Sequence, residues 1–178
     1  VSHYIPWDSP LDKDARRKGT SSYLGGKVLP MFPHQISNGV CSLNEQVDRL
    51  TISCIMEVTP NGDVVSRKLV PGVINSDKKM NYDDVNKLLK TDEVVPGYED
   101  FVDSLKTFNK LAHKLRNKRI KKGAIEFERF ELKPIYNEEG RIIDFTVRIQ
   151  DEAENLIEEL MLLANESVDI IFEERGLP

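Results

Sequence analysis

Few residues in this chain have types and spacings that could do chemistry. Acids stand side by side at Asp83-Asp84 and Glu158-Glu159, and Asp12 and Asp14 lie two apart. Metal-assisted phosphoryl transfer needs several carboxylates converging on one or two cations. Adjacent side chains on a helix point to different faces, so most of these acids read as solvated. Glu154, Glu158 and Asn165 do share one face of the last predicted helix. That polar stripe could border a cleft, but an ordinary wet flank is the commoner reading of such a pattern. Cys41 and Cys54, with the histidines at 3, 34 and 113, have no zinc-ligand spacing. No phosphate loop or dinucleotide fingerprint occurs. Tyr23, Tyr82 and Phe127 fall near turns or element ends beside polar residues. Aromatics so placed can stack on nucleobases, although core packing is the commoner use.

The elements that must carry these residues follow from pattern. The first forty residues are rich in Pro, Gly and Ser and predict loops and short strands. Within them, Ser9-Pro10-Leu11-Asp12 is a helix start, with Ser9 as cap, Pro10 in the first turn and Gly19 as the stop. The opening Val1-Ser2-His3-Tyr4-Ile5 reads as the end of a strand. Strands are predicted over 48–58 and 63–75 around Asn61-Gly62, a strong hairpin signal. Helices are predicted over Tyr82–Lys90 and Gly97–Arg119, the second with an apolar stripe of Phe101, Leu105, Phe108, Ala112 and Leu115. A second hairpin joins Phe127–Tyr136 to Ile142–Ile149. A long helix spans Glu152–Glu174, with Ala153, Leu156, Ile157, Leu160, Met161, Ala164, Val168 and Ile171 as its core face. Hairpins and helices without a βαβ rhythm predict an α+β fold.

The 178 residues, 39% hydrophobic and 31% charged, suffice for one domain with a core. No apolar run is long enough to span a bilayer, which predicts no membrane partner. The net charge of −5 does not advertise nucleic acid. The charge is uneven, however. Residues 110–122 hold many bases and no acid, a stripe compatible with an RNA-binding face. Two cysteines fit a reducing cytoplasm.

Several blocks carry more information than this. They are Val1-Ser2-His3-Tyr4; Ser9-Pro10-Leu11-Asp12; Arg17-Lys18-Gly19-Thr20-Ser21-Ser22-Tyr23; Val28-Leu29-Pro30-Met31-Phe32-Pro33; Ile36-Ser37-Asn38-Gly39-Val40-Cys41-Ser42-Leu43-Asn44; and Val47-Asp48-Arg49-Leu50. Asn137–Ile142 and Leu156–Asn165 follow in order. Together they resemble the catalytic domain of the ribonuclease II/ribonuclease R family over essentially the whole chain. The Gly19-Thr20-Ser21 and Ser37-Asn38-Gly39 forms lean toward bacterial ribonuclease R. The resemblance implies part of a processive, hydrolytic 3′→5′ exoribonuclease that takes single-stranded RNA to nucleoside monophosphates with magnesium. It implies that Tyr23 and Phe127 stack on bases. It also implies that Tyr82 and Glu158 meet the sugar, whose 2′-hydroxyl separates RNA from DNA.

The family's acids form an Asp-x-Asp-Asp-Ala type of motif that does not occur in this sequence, and the family's downstream arginine is missing too. The expectation is therefore that residues 1–178 are a partial catalytic domain, without the aspartate motif and the C-terminal portion. No catalytic or metal-binding residue is expected in the chain. Magnesium is expected to belong to a longer parent, and the chain alone to be inactive on its single-stranded RNA partner. Self-association through exposed cut edges is expected as well. The alternative is a family relative that binds RNA without cutting it.

Overall fold

Ser9 caps the first helix as its position predicts. Its hydroxyl accepts from the Asp12 N–H at 3.2 Å, and Pro10 opens α1 (Pro10–Lys18), which stops at Gly19 with φ +70°. In this computed structural model, residues 1–24, 27–125 and 130–177 are described. Strands β1 (Ser22–Leu24) and β2 (Lys27–Leu29) pair antiparallel, and a π-helix spans Gln35–Val40. Strands β3 (Asp48–Val58) and β4 (Val64–Asn75) pair around the Asn-Gly turn, where Gly62 has φ +78°. A Cβ on Gly62 would also meet Leu115 Cδ2 at 3.0 Å, so both the turn and the packing require glycine. Helices α2 (Tyr82–Thr91) and α3 (Val102–Lys121) follow, then the antiparallel pair β5 (Phe130–Tyr136) and β6 (Ile142–Ile149), and finally α4 (Glu152–Glu174). Helices with small separate sheets make the fold α+β, as the element pattern predicts.

The chain divides into two units. The first holds Val1–Thr51 and Pro71–Lys79. It buries Ile5 and Ala15, and Asn75 Nδ2 donates to Asp48 Oδ1 at 2.7 Å across the hairpin base. The second holds Ile52–Val70 and Met80–Pro178. Its helices pack around Val85, Tyr98 and Ala153, with Met80, Leu89, Val95 and Leu105 against them. Leu88, Ala112, Leu115, Leu156, Leu163 and Ile171 are buried too.

Three expectations are corrected. Val1–Ile5 is not strand: the Tyr4 and Ile5 N–H groups both donate to the Val1 carbonyl, at 2.8 and 3.1 Å, which closes a turn. The buried face of α4 is rotated from the apolar stripe, with Glu159 and Ser167 inside and Ile157 and Met161 half exposed. Polar burial is tolerable here because both groups have partners, the Arg119 guanidinium and, at 3.2 Å, Met56 Sδ. In α3, Phe108 likewise turns out to solvent while Ala112 and Leu115 go in.

The β5–β6 register sorts side chains by face. Phe130, Leu132 and Pro134 lie opposite Ile149, Val147 and Phe145, forming one apolar face on which the two phenylalanines, Leu132, Val147 and Ile149 remain more than half exposed.

Candidate nucleic-acid interface

The first turn of α4 is tied to α2, α3 and the end of β6. Asp151 caps it by accepting from the Glu152 N–H at 2.9 Å, and Glu154 reaches back to the Asp151 N–H at 3.3 Å, completing a capping box. From α2, Asn86 Oδ1 accepts from the Ala153 N–H at 2.8 Å, its Nδ2 donates to Glu154 Oε2 at 3.1 Å, and Lys90 bonds Asp151 at 2.7 Å. From α3, Asn109 Nδ2 lies 3.0 Å and His113 Nε2 2.7 Å from Glu152 Oε2.

The end of β6 adds the remaining ties. Arg148 and Gln150 are two residues apart, so an extended chain projects both to one side. Arg148 donates to Glu154 Oε1 at 2.7 Å, and its guanidinium carbon lies 5.7 Å from the centre of the Tyr82 ring. Gln150 Nε2 donates to Glu158 Oε2 at 2.5 Å. Tyr82 opens α2 and is 41% exposed. Tyr82 and Glu158 therefore stand on one framework, built from the start of α2, the end of β6 and the first two turns of α4. Tyr23 belongs to the first unit, on β1 opposite Val28, and is 78% exposed. Phe127 lies outside the described residues.

Electrostatics reinforce the helix start. The Lys90 ammonium beside Asp151 holds that carboxyl below its usual range, and Asp151 in turn raises Lys90. Burial pushes Glu154 up, but the hydrogen bonds from Asn86, the backbone and Arg148 outweigh it and leave the carboxyl below the ordinary glutamate value.

The candidate acids disperse. Asp14 pairs with Lys18 and Arg17, and the Lys18 hydrogen bond leads in lowering its carboxyl. Asp84 joins the Asn81 cap of α2. Glu158 and Glu159 diverge, the first to Gln150 and the second inward to Arg119. Among the described residues, no group of three or more His, Cys, Asp or Glu side chains is placed to hold a cation. The donor set in hand thus does not fit the magnesium that the family implies, and no step is derived through that ion. The basic stripe on α3 is partly structural. Lys114 bonds the Pro60 carbonyl at 2.6 Å and Lys118 bonds Asp63 at 2.5 Å, pinning the β3–β4 turn beside a cleft of about 300 Å³.

Sequence reasoning did not single out Asn86, Arg148 or Gln150. The local signal was the period-two pair Arg148/Gln150 running into the Asp151-x-x-Glu154 capping box. Asn86 acts on a residue 68 positions away, which no local pattern reveals.

Fold and site together define a mixed α+β domain with an arginine-backed aromatic at the start of α2 and an oriented carboxylate in the second turn of α4. The RNB domain matches residues 1–178, and the chain belongs to that family. It is 44% identical over 179 residues to ribonuclease R 1 of Lactococcus lactis and 45% identical over 179 residues to ribonuclease R of Thermotoga maritima. All of this chain is covered in both cases, but only 22% and 25% of those relatives. A solved structure of Mycoplasma genitalium RNase R, in complex with ribose-methylated single-stranded RNA, superposes with a TM-score of 0.90 at 33% identity, over 99% of this chain and 28% of that one. The chain thus spans less than a third of the length of each. Among the described residues no helix is long and apolar enough to cross a membrane.

Proposed function

We propose that this chain supplies part of the RNA-handling surface of a ribonuclease R-type, hydrolytic 3′→5′ exoribonuclease acting on single-stranded RNA. Tyr82 and Glu158 receive a nucleotide at its sugar, and Tyr23 stacks on a base. Phe127 takes the family's second stacking position. The observation that carries this reading is the joint mounting of Tyr82 and Glu158 through Arg148, Glu154 and Gln150. An aromatic face gives sequence-tolerant stacking, and a carboxylate acceptor beside it suits a ribose hydroxyl. Magnesium and the cutting chemistry belong to acids outside this sequence, so the chain by itself binds RNA and does not shorten it. Cys41 and Cys54, which form no disulfide, fit a reducing cytoplasm.

The test is binding of labelled single-stranded oligoadenylate by fluorescence anisotropy. Tyr82→Ala should weaken it several-fold, the scale of one lost contact at the sugar. Unchanged affinity in that variant contradicts the assignment. Incubation with magnesium, followed on a sequencing gel, should leave the RNA full length; stepwise shortening from the 3′ end by purified chain contradicts the second part.

A further inference from the structure

We propose that Gln150 is the positioning residue for ribose discrimination: it holds the Glu158 carboxylate by one oxygen so that the other meets the ligand's 2′-hydroxyl. The proposal rests on the reading of Glu158 given above and goes beyond it in naming what fixes that side chain. Gln150 Nε2 donates to Glu158 Oε2 at 2.5 Å, with both residues half-buried. That leaves Oε1 as the oxygen a donor hydroxyl would reach.

The neighbouring acids show why the partner's charge matters. Glu154, one turn back, accepts from Arg148 and Asn86 and is committed to the helix cap. Glu159, the next residue, is drawn inward by Arg119 and is 4% exposed. Of these three acids on α4, Glu158 is the one whose recorded partner among the described residues is a neutral amide. An amide fixes the orientation of a carboxylate without neutralising it, so the second oxygen keeps its full strength as an acceptor. The mounting is local as well. Gln150 stands eight residues before Glu158, on the turn that leaves β6, and Asp151 next to it is the cap of α4. The same segment therefore fixes both the helix and the acid. A site that orients an acceptor for one hydroxyl discriminates against a ligand lacking it, because the oriented group is then left unmatched.

The experiment compares the dissociation constants of the intact chain for oligoadenylate and oligodeoxyadenylate of equal length, the ratio being the readout. The unsubstituted chain should favour RNA about tenfold, the scale of one charged hydrogen bond at a half-exposed site. Glu158→Ala should bring the ratio close to one. Gln150→Leu should lower it several-fold, Gln150→Lys, whose ammonium restores a donor but neutralises the carboxylate, should recover only part of it, and Gln150→Leu with Glu158→Ala should fall no lower than Glu158→Ala alone. A variant that merely unfolds loses RNA and DNA binding together, so the ratio isolates positioning. If Glu158→Ala collapses the ratio while Gln150→Leu leaves it intact, the positioning role is overturned and the ribose role of Glu158 stands. If the unsubstituted chain shows no preference, or Glu158→Ala changes nothing, the ribose reading itself fails and takes the role of Gln150 with it.

Discussion

Arg119 on α3 and Glu159 on α4 form an ion pair whose two ends are unequally wet. The Glu159 side chain is 5% exposed and that of Arg119 is 30% exposed. Removing one partner should therefore cost different amounts on the two sides. Arg119→Met keeps an aliphatic stem and a good helix former but strands a carboxylate between two helices. Breaking a buried pair in this way costs about 3–5 kcal/mol, and the partial exposure of Arg119 places this case near the lower end, at about 3 kcal/mol. Glu159→Leu leaves a guanidinium that already reaches water, and puts an apolar group on the face that holds Leu156 and Leu163. Its cost should be about 1 kcal/mol. The double variant Arg119→Met/Glu159→Leu should resemble Glu159→Leu alone, giving a coupling of about 3 kcal/mol. Urea unfolding at neutral pH, followed by far-UV circular dichroism and so weighted toward the helices of the second unit, measures all three. The Arg119→Met penalty should also persist at raised salt, because a buried charge is poorly screened. Equal costs for the two single variants, or a double variant as unstable as their sum, would refute the asymmetry argument.

Three further outcomes follow from the same framework. Asn86→Ala removes two of the three ties from α2 to the start of α4, leaving Lys90–Asp151, and should cost about 1–2 kcal/mol in thermal or urea unfolding; an unchanged midpoint contradicts the network. Asp151 and Glu154 have folded-state affinities for protons below their ordinary values, so their stabilisation is present above the unfolded values and lost as pH falls through the folded ones. The urea midpoint should accordingly drop from about pH 5 downward, and less steeply in Lys90→Met, whose Asp151 no longer has its ammonium partner; identical slopes contradict the assignment. Finally, the exposed apolar face of β5 and β6 should drive concentration-dependent self-association, weakened by Phe145→Lys. Sedimentation velocity showing a monomer at every concentration tested contradicts it.

Local chemistry was the legible part of the fold. Ser9-Pro10 and Asn61-Gly62 marked element ends because caps and turns act over a few residues. The extent of α4 came from its apolar periodicity over Glu152–Glu174. Its buried face did not, because Arg119, 40 residues upstream of Glu159, decides which side turns inward. The strand read into Val1–Ile5 failed for a similar reason: two backbone N–H groups bonding the one Val1 carbonyl, invisible in composition, close a turn there. In the site, Tyr82 and Glu158 were reached through the family resemblance, since a tyrosine at a helix start and an acid on a wet flank are common. Their supports were missed because Arg148 and Gln150 look like an ordinary alternating strand end until α4 is folded back against them.

Photo-crosslinking of the chain to single-stranded RNA carrying 4-thiouridine, read by mass spectrometry, tests where RNA sits. Crosslinks should concentrate at Tyr23 and in peptides containing Tyr82 and residues 148–158. Crosslinks confined to the basic stripe of residues 110–122, with none at Tyr82 or the start of α4, would contradict the site.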